Sequence, residues 1–358
     1  MLHKIDFYII KKFLGTFFYA IALIISISIV FDISEKVDDF MSKDVSVKTI
    51  IFDYYINFIP YFANLFSGLF TFIAVIYFTS KLAYNTEIIA ILSSGVSYNR
   101  LMRPYIVGAA VIVLFSYMLG NYVIPPANKK RVEFTNLYIG TRKVGAERNI
   151  HRQIEPGVFV YIDSYNASTD VGYKFTIEKF VERKLVSKLS SDYIKWDREK
   201  KKWTIHEYSI RTIDGYTEKI TRGTEIDTVL NMVPGDYQVV ANIVETMALP
   251  ALNEAIDNLK LRGVSTINYE IEKHKRRSGP FSAFILTIIG VSLASRKIKG
   301  GIGFHLGLGL LLSFSYILFM QVTTVFATSG LLAPSLAMWI PNVLYGGLAF
   351  YLYRRAAK

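Results

Sequence analysis

Between Lys299 and Arg354 the chain reads GGIGFHLGLGLLLSFSYILFMQVTTVFATSGLLAPSLAMWIPNVLYGGLAFYLY, residues 300–353, 54 positions without one Asp, Glu, Lys or Arg. A helix that crosses the hydrocarbon core of a bilayer needs about 20 apolar residues. This stretch therefore holds two spans and a turn, which Gly330 and Ala333-Pro334-Ser335 mark. Four more uncharged runs precede it: Phe13 to Phe31, Tyr54 to Ser80, Pro104 to Asn128 and Ser278 to Ser295, with 19, 27, 25 and 18 residues. Each is at or near spanning length, so the chain reads as an α-helical integral membrane protein with six transmembrane helices.

The 149 residues from Lys129 to Arg277 have ordinary soluble composition and are numerous enough to build a core of their own. The expected organisation is residues 1–128 for helices one to three, 129–277 for an inserted domain and 278–358 for helices four to six. Within the insert, Gly157 to Ile162, Lys174 to Ile177, Tyr193 to Trp196 and Trp203 to His206 are rich in β-branched and aromatic residues. Turn-like stretches at Asn166 to Gly172, Asp197 to Lys202 and Asp214-Gly215 separate them, a spacing that predicts a β-sandwich or jelly roll. From Thr246 to Leu261 the apolar period changes to three and four through Leu249, Leu252, Ile256 and Leu259, which predicts a helix closing the domain.

Six spans put both termini on one side, and the basic residues say which. The N-terminus, the loop at 81–103, the loop at 296–299 and the tail together carry Lys4, Lys11, Lys12, Lys81, Arg100, Arg103, Arg296, Lys297, Lys299, Arg354, Arg355 and Lys358. Twelve cations against only Asp6 and Glu87 leave +10 of the chain's formal +12 on that face, which the positive-inside rule assigns to the cytoplasm. The inserted domain then lies outside. A pI near 9.5 could suggest nucleic acid, but the excess is spread over short juxtamembrane loops rather than clustered in a recognisable module, and nucleic acid is excluded as a partner. The first span follows Lys4, Lys11 and Lys12 like a signal peptide, yet it is too long for one and no convincing cleavage site follows, so it is expected to remain as a helix. With no cysteine in the chain, disulfides are excluded and the redox compartment cannot be read.

No G-x-x-x-x-G-K-[ST] phosphate loop is present, so the chain is not itself an ATPase, and there is no H-E-x-x-H helix. The five histidines never fall at metal-ligand spacing; His305, alone within an uncharged run, reads as a packed residue or as a proton relay. Asp163, Asp192 and Asp197 are carboxylates of strand ends and turns with no visible catalytic partner. More suggestive is the loop between spans two and three. Asn85 and Thr86 are good N-caps, Glu87 suits the first turn, Ile88, Ile89, Ile91 and Leu92 supply an apolar stripe, and Gly95 can close the C-terminus. The resulting short helix over 86–94 can rest on lipid or dock in a partner's groove, and periodicity leaves both open.

Two basic clusters fall on the outward side, Lys129-Lys130-Arg131 after the third span and Lys273, Lys275, Arg276 and Arg277 before the fourth. Local pairing with Glu133, Glu270 and Glu272 is one reading, and an anionic headgroup in the outer leaflet is the other. Gly303 and Gly307 form a G-x-x-x-G pair that permits close helix approach.

At this point the sequence resembles a known family. The span order with its insert, Ile5 to Phe13, Thr86 to Gly95, Val123-Ile124-Pro125 and Trp339-Ile340-Pro341-Asn342 are together similar to the LptF/LptG permeases, the membrane subunits of the lipopolysaccharide export ABC transporter. The resemblance covers essentially the whole chain; the N-terminus and the 86–95 loop are closer to the LptG side, with an F-like assignment left open. It implies a periplasmic β-jellyroll-like domain, no cofactor in this chain, and ATP and Mg²⁺ used by a partner ATPase. It implies a second LptF/LptG permease as heterodimer partner and an LptB-type ATPase dimer whose groove receives Thr86, Glu87, Ile88, Ile91, Leu92 and Gly95. It implies transfer of lipopolysaccharide onward through LptC and a periplasmic LptA-type bridge. Basic residues at the outer end of the first span contact lipopolysaccharide phosphates in the family, and the nearest here are Lys36 and Lys43, although Glu35 stands where the family has a Lys. Arg276 and Arg277 are added as headgroup candidates from their position alone, and Gly303 and Gly307 as residues of a lateral gate. Two other classes compete with this one. A mechanotransmitting ABC subunit has four spans with the domain after the first, which the count contradicts, and an enzyme modifying envelope lipids needs a carboxylate or histidine cluster at the membrane edge, for which Asp32, Asp38 and Asp39 are the nearest group.

Overall fold

The computed structural model describes residues 4–139, 147–166, 169–182, 184–198, 200–215, 217–230, 232, 234, 243–261, 265–296 and 301–356. Lys297, Lys299 and Lys358 of the basic face lie outside the described residues. Two compact units emerge, one from residues 1–140, 244–253 and 267–358, the other from 141–243 and 254–266.

The first unit is helical. Helix α1 runs Lys4–Ser42, followed by a short turn α2 (Val47–Thr49), a π-helical segment Ile50–Tyr55, α3 (Ile56–Leu65), α4 (Ser67–Tyr84), α5 (Glu87–Ser93) and α6 (Tyr98–Met118). A second π-helical segment, Leu119–Val123, leads into α7 (Ile124–Tyr138). Among the described residues six helices are long and apolar enough to cross a membrane, with α6 and α7 counted as one. At 39 residues α1 is roughly 58 Å long, well beyond a hydrocarbon core of about 30 Å, so its last turns carry Asp32, Glu35, Lys36, Asp38 and Asp39 past the apolar run.

After the inserted unit come α8 (Leu249–Leu261), α9 (Ile267–Ala294), α10 (Gly301–Thr328) and α11 (Pro334–Arg355). Helix α9 is the hub: 61% of its span window is buried, against 22% for both α1 and α10. Small residues bring neighbours close to it, since a Cβ on Gly290 would stand 2.8 Å from Val75 Cγ1 and 3.1 Å from Phe72 Cδ2. One core joins α1, α4 and α6 around Phe13, Phe17, Val75, Leu82 and Tyr105. A second joins α4, α9 and α11 around Phe72, Leu286, Ile289 and Ala349.

The second unit is a six-stranded antiparallel meander: β1 (Glu147–Glu155), β2 (Val158–Asn166), β3 (Val171–Val181), β4 (Lys184–Asp197), β5 (Lys202–Asp214) and β6 (Thr217–Thr228), paired in chain order. The inserted β domain is thus present as an open sheet. Its described strands are joined by short hairpins, and the crossing connections of a jelly roll do not occur among them. The four stretches expected from β-branched and aromatic content fall in strands β2 to β5, except that Gly157 belongs to the turn before β2. Period-two burial puts Val160, Ile162, Phe175, Ile177, Ile194, Trp203 and Ile205 in one core, and Trp203 Nε1 donates to the Met232 carbonyl at 2.9 Å. Gly157 is required in the β1–β2 turn: its φ is +77°, and a Cβ there would stand 2.6 Å from the Phe180 carbonyl oxygen.

Candidate functional site

Helix α5 follows α4 after a two-residue break. Thr86 stands at its N-cap position with φ 63°, in the left-handed region, and makes no side-chain cap bond. Its hydroxyl donates instead to the Asn85 carbonyl at 2.6 Å, so the expected Thr86 cap is replaced by backbone geometry. Glu87 opens the helix and accepts from Asn85 Nδ2 at 3.2 Å. At the other end Gly95 takes φ +89° and donates its amide to the Leu92 carbonyl at 3.1 Å.

The apolar stripe is divided by the fold. Ile88 is buried, and Ile91 and Leu92 pack half-buried on the same core as Phe78, Leu82 and Tyr98. Ile89 points the other way and is 53% exposed, beside exposed Ala90 and Ser93. Arg100 Nη1 and Nη2 donate to the two oxygens of buried Asp6 at 2.7 and 2.5 Å, tying the start of α1 to the start of α6. In the sequence Asp6 stands out only as a charge, because a pair separated by 94 positions leaves no local signal.

The four headgroup candidates fare differently. Lys36 Nζ donates to Asp32 and to the Tyr54 hydroxyl, and Asp32 also accepts from Tyr55 at 3.1 Å, a partly buried network. An aromatic cluster of Phe40, Tyr54, Tyr55, Phe58 and Phe134 surrounds it. Lys43 is exposed, with the Leu137 carbonyl as acceptor at 3.1 Å. Arg276 is 7% exposed and enclosed: Nε donates to Glu272 at 2.7 Å, Nη1 to the Met247 carbonyl at 2.7 Å and Nη2 to the Val244 carbonyl at 3.2 Å. It clamps residues 244–247 onto α9. In that same segment burial pushes the Glu245 carboxyl above its usual range, against the opposing pull of Lys275. Arg277, the next residue, is exposed. The local-pairing reading thus holds for Arg276 and for Lys275, whose Nζ lies 3.9 Å from Glu272; Arg131 lies instead over the Tyr61 ring at 5.1 Å.

Gly303 and Gly307 face open space, with nothing within 4 Å of an added Cβ. Close packing within the chain falls instead at Gly309, where a Cβ would overlap Ile76 Cδ1. His305 Nδ1 lies 2.8 Å from Ser80 Oγ with the ring buried, a packed histidine between α10 and α4. Among the described residues no group of three or more His, Cys, Asp or Glu could hold a metal ion.

A family model described as lipopolysaccharide export system permease LptF/LptG matches residues 7–355. The chain belongs to the LptF/LptG family. That membership covers both units and makes the chain a membrane-spanning permease subunit of lipopolysaccharide export, a multi-pass protein of the inner membrane and a transporter component rather than an enzyme. No curated protein matches the sequence. In LptF/LptG terms the six helices are the permease body, and the open β sheet is the unit inserted between its third and fourth spans.

Proposed function

We propose that the chain pairs with a second LptF/LptG permease over an LptB-type ATPase dimer and, driven by ATP hydrolysis there, lifts lipopolysaccharide from the outer leaflet of the inner membrane toward LptC and an LptA-type bridge. Both termini and α5 are cytoplasmic and the β unit periplasmic in this reading, which the concentration of cations around α5 and the span ends supports. The observation that carries the coupling is the division of α5. With Ile88, Ile91 and Leu92 spent on the chain's own core, Glu87, Ile89 and Ala90 form the outward surface available to an ATPase groove. Thr86 and Gly95 act by setting where that helix starts and stops. Lys43 and Arg277 offer exposed charge to lipid phosphates, while Lys36 reaches them only on release from Asp32. The open face of Gly303 and Gly307 on α10 is the surface that meets the second permease at the gate.

Affinity purification of the full chain from its native envelope, with copurifying proteins identified by mass spectrometry, tests this directly. Wild type is expected to bring down an ATPase and a second six-span permease; Glu87→Ala and Ile89→Asp should lose the ATPase and keep the permease. Retention of the ATPase by both variants would remove α5 as the docking element. A chain recovered alone or with lipid-modifying enzymes would sink the assembly itself.

A further inference from the structure

A cavity of about 730 Å³ opens between α6, α9 and α11, lined at one end by Asp6, Asn99, Arg100 and Arg103 and along its length by apolar side chains such as Ile106, Ile285 and Ile288. The two ends differ in chemistry. Asp6 is the acid of the lining, and both its oxygens are taken by Arg100. Arg103 is exposed and has no carboxylate partner among the described residues; Arg354, outside the lining, lies 5.2 Å from the ring of Phe350, which is part of it. One helical turn further along α6 the lining becomes Ile106 and Val107, and along α11 it passes from Tyr353 to Ala349 and Gly346. Gly346 leaves room rather than filling it, since nothing lies within 4 Å of a Cβ added there.

The volume falls within the range of roughly 300 to 1,000 Å³ typical of ligand pockets. A purely apolar occupant would leave Arg103 without a counter-ion, and a small polar anion would leave the apolar length of the groove unfilled. A zwitterionic headgroup would bring its own cation against Arg103. We propose that this groove holds an anionic phospholipid, its phosphate on Arg103 and an acyl chain over Ile106, Ile285 and Ile288. Basic pockets between transmembrane helices on the cytoplasmic side suit such headgroups. The lipid comes from the inner leaflet, a placement that rests on the orientation proposed above. This site lies at the end of the helices opposite to Lys43 and Arg277 and is separate from the contacts proposed for the exported lipid.

The full chain, purified with its accompanying subunits and delipidated in mild detergent, is titrated with phosphatidylglycerol or phosphatidylcholine and read by native mass spectrometry. Wild type is expected to show a saturable phosphatidylglycerol adduct, favoured over phosphatidylcholine by about fivefold. Arg103→Gln should erase that preference, Arg103→Lys should keep most of it, and Gly346→Leu should remove the saturable adduct of either lipid. Variants that bind as wild type does would overturn the proposal, as would a wild-type complex that retains no lipid because another subunit covers the groove. Because the chain has no cysteine, Ser94→Cys gives a single label for sidedness. Labelling from the periplasm would overturn the orientation and the leaflet, while the titration would still decide the groove.

Discussion

Arg276 is closed inside the helical unit, and Arg277, the next residue of α9, stands in the open. The same contrast recurs elsewhere. Arg100 is locked to Asp6 while Arg103, one turn on, is exposed, and Lys36 is held by Asp32 and Tyr54 while exposed Lys43 donates to a backbone carbonyl. Basic residues that look alike in sequence therefore divide into those that hold helices together and those left for a ligand. A guanidinium that has satisfied its donors on carboxylate and carbonyl groups has little to offer a phosphate, and removing it leaves buried acceptors bare.

The contrast is broken most forcefully at Arg276. Arg276→Ala uncovers Glu272 and the carbonyls of 244–247, and loss of about 3 to 5 kcal/mol is expected, seen as reduced thermal stability of the detergent-purified chain. Arg277→Ala should stay within about 0.5 kcal/mol; equal losses at the two positions would erase the distinction. Next in size is Arg100→Gln, which removes two charged hydrogen bonds from a buried carboxylate and should lower thermal stability by less than Arg276→Ala does. Adding Asp6→Asn should recover part of it, as a double-mutant cycle would register.

A smaller effect sharpens the comparison in the β unit, at two carboxylates on its surface. Hydrogen bonds from Thr204 and Lys200 hold the Asp227 carboxyl below the usual carboxylate range, and Arg211 does the same for Glu218. With folded values depressed, their stabilisation is present in full above the unfolded value near 4 and fades as pH falls through the folded values. Thr204→Val should move the acid transition of Trp203 fluorescence in the intact chain upward by a fraction of a pH unit. An unchanged transition would mean that these surface pairs carry nothing.

The spans were legible because the bilayer imposes a length that an uncharged run must meet. The helical end of α1 was not, since Asp32 to Asp39 end the uncharged run while the helix continues to Ser42; the i,i+4 spacing of Asp32 and Lys36 was the available signal. Strands β2 to β5 were visible in their β-branched and aromatic residues, whereas β1 and β6 are polar edges whose only claim to strand is the neighbour they pair with. Glu87 and the stop at Gly95 could be read from sequence, but the face of α5 could not, because in seven residues Ile88 and Ile89 are equally plausible core positions. The enclosure of Arg276 was not legible for a different reason. Its carbonyl partners lie about thirty residues away in a segment without a motif.

The most direct test of the account places a photoreactive amino acid at position 43 or 277 of the full chain, reconstituted with its copurifying subunits and lipopolysaccharide, and illuminates with and without ATP. Covalent capture of lipopolysaccharide at both positions, falling when ATP is hydrolysed, is the expected result. An intact, ATP-hydrolysing complex that captures no lipopolysaccharide at either position would contradict it.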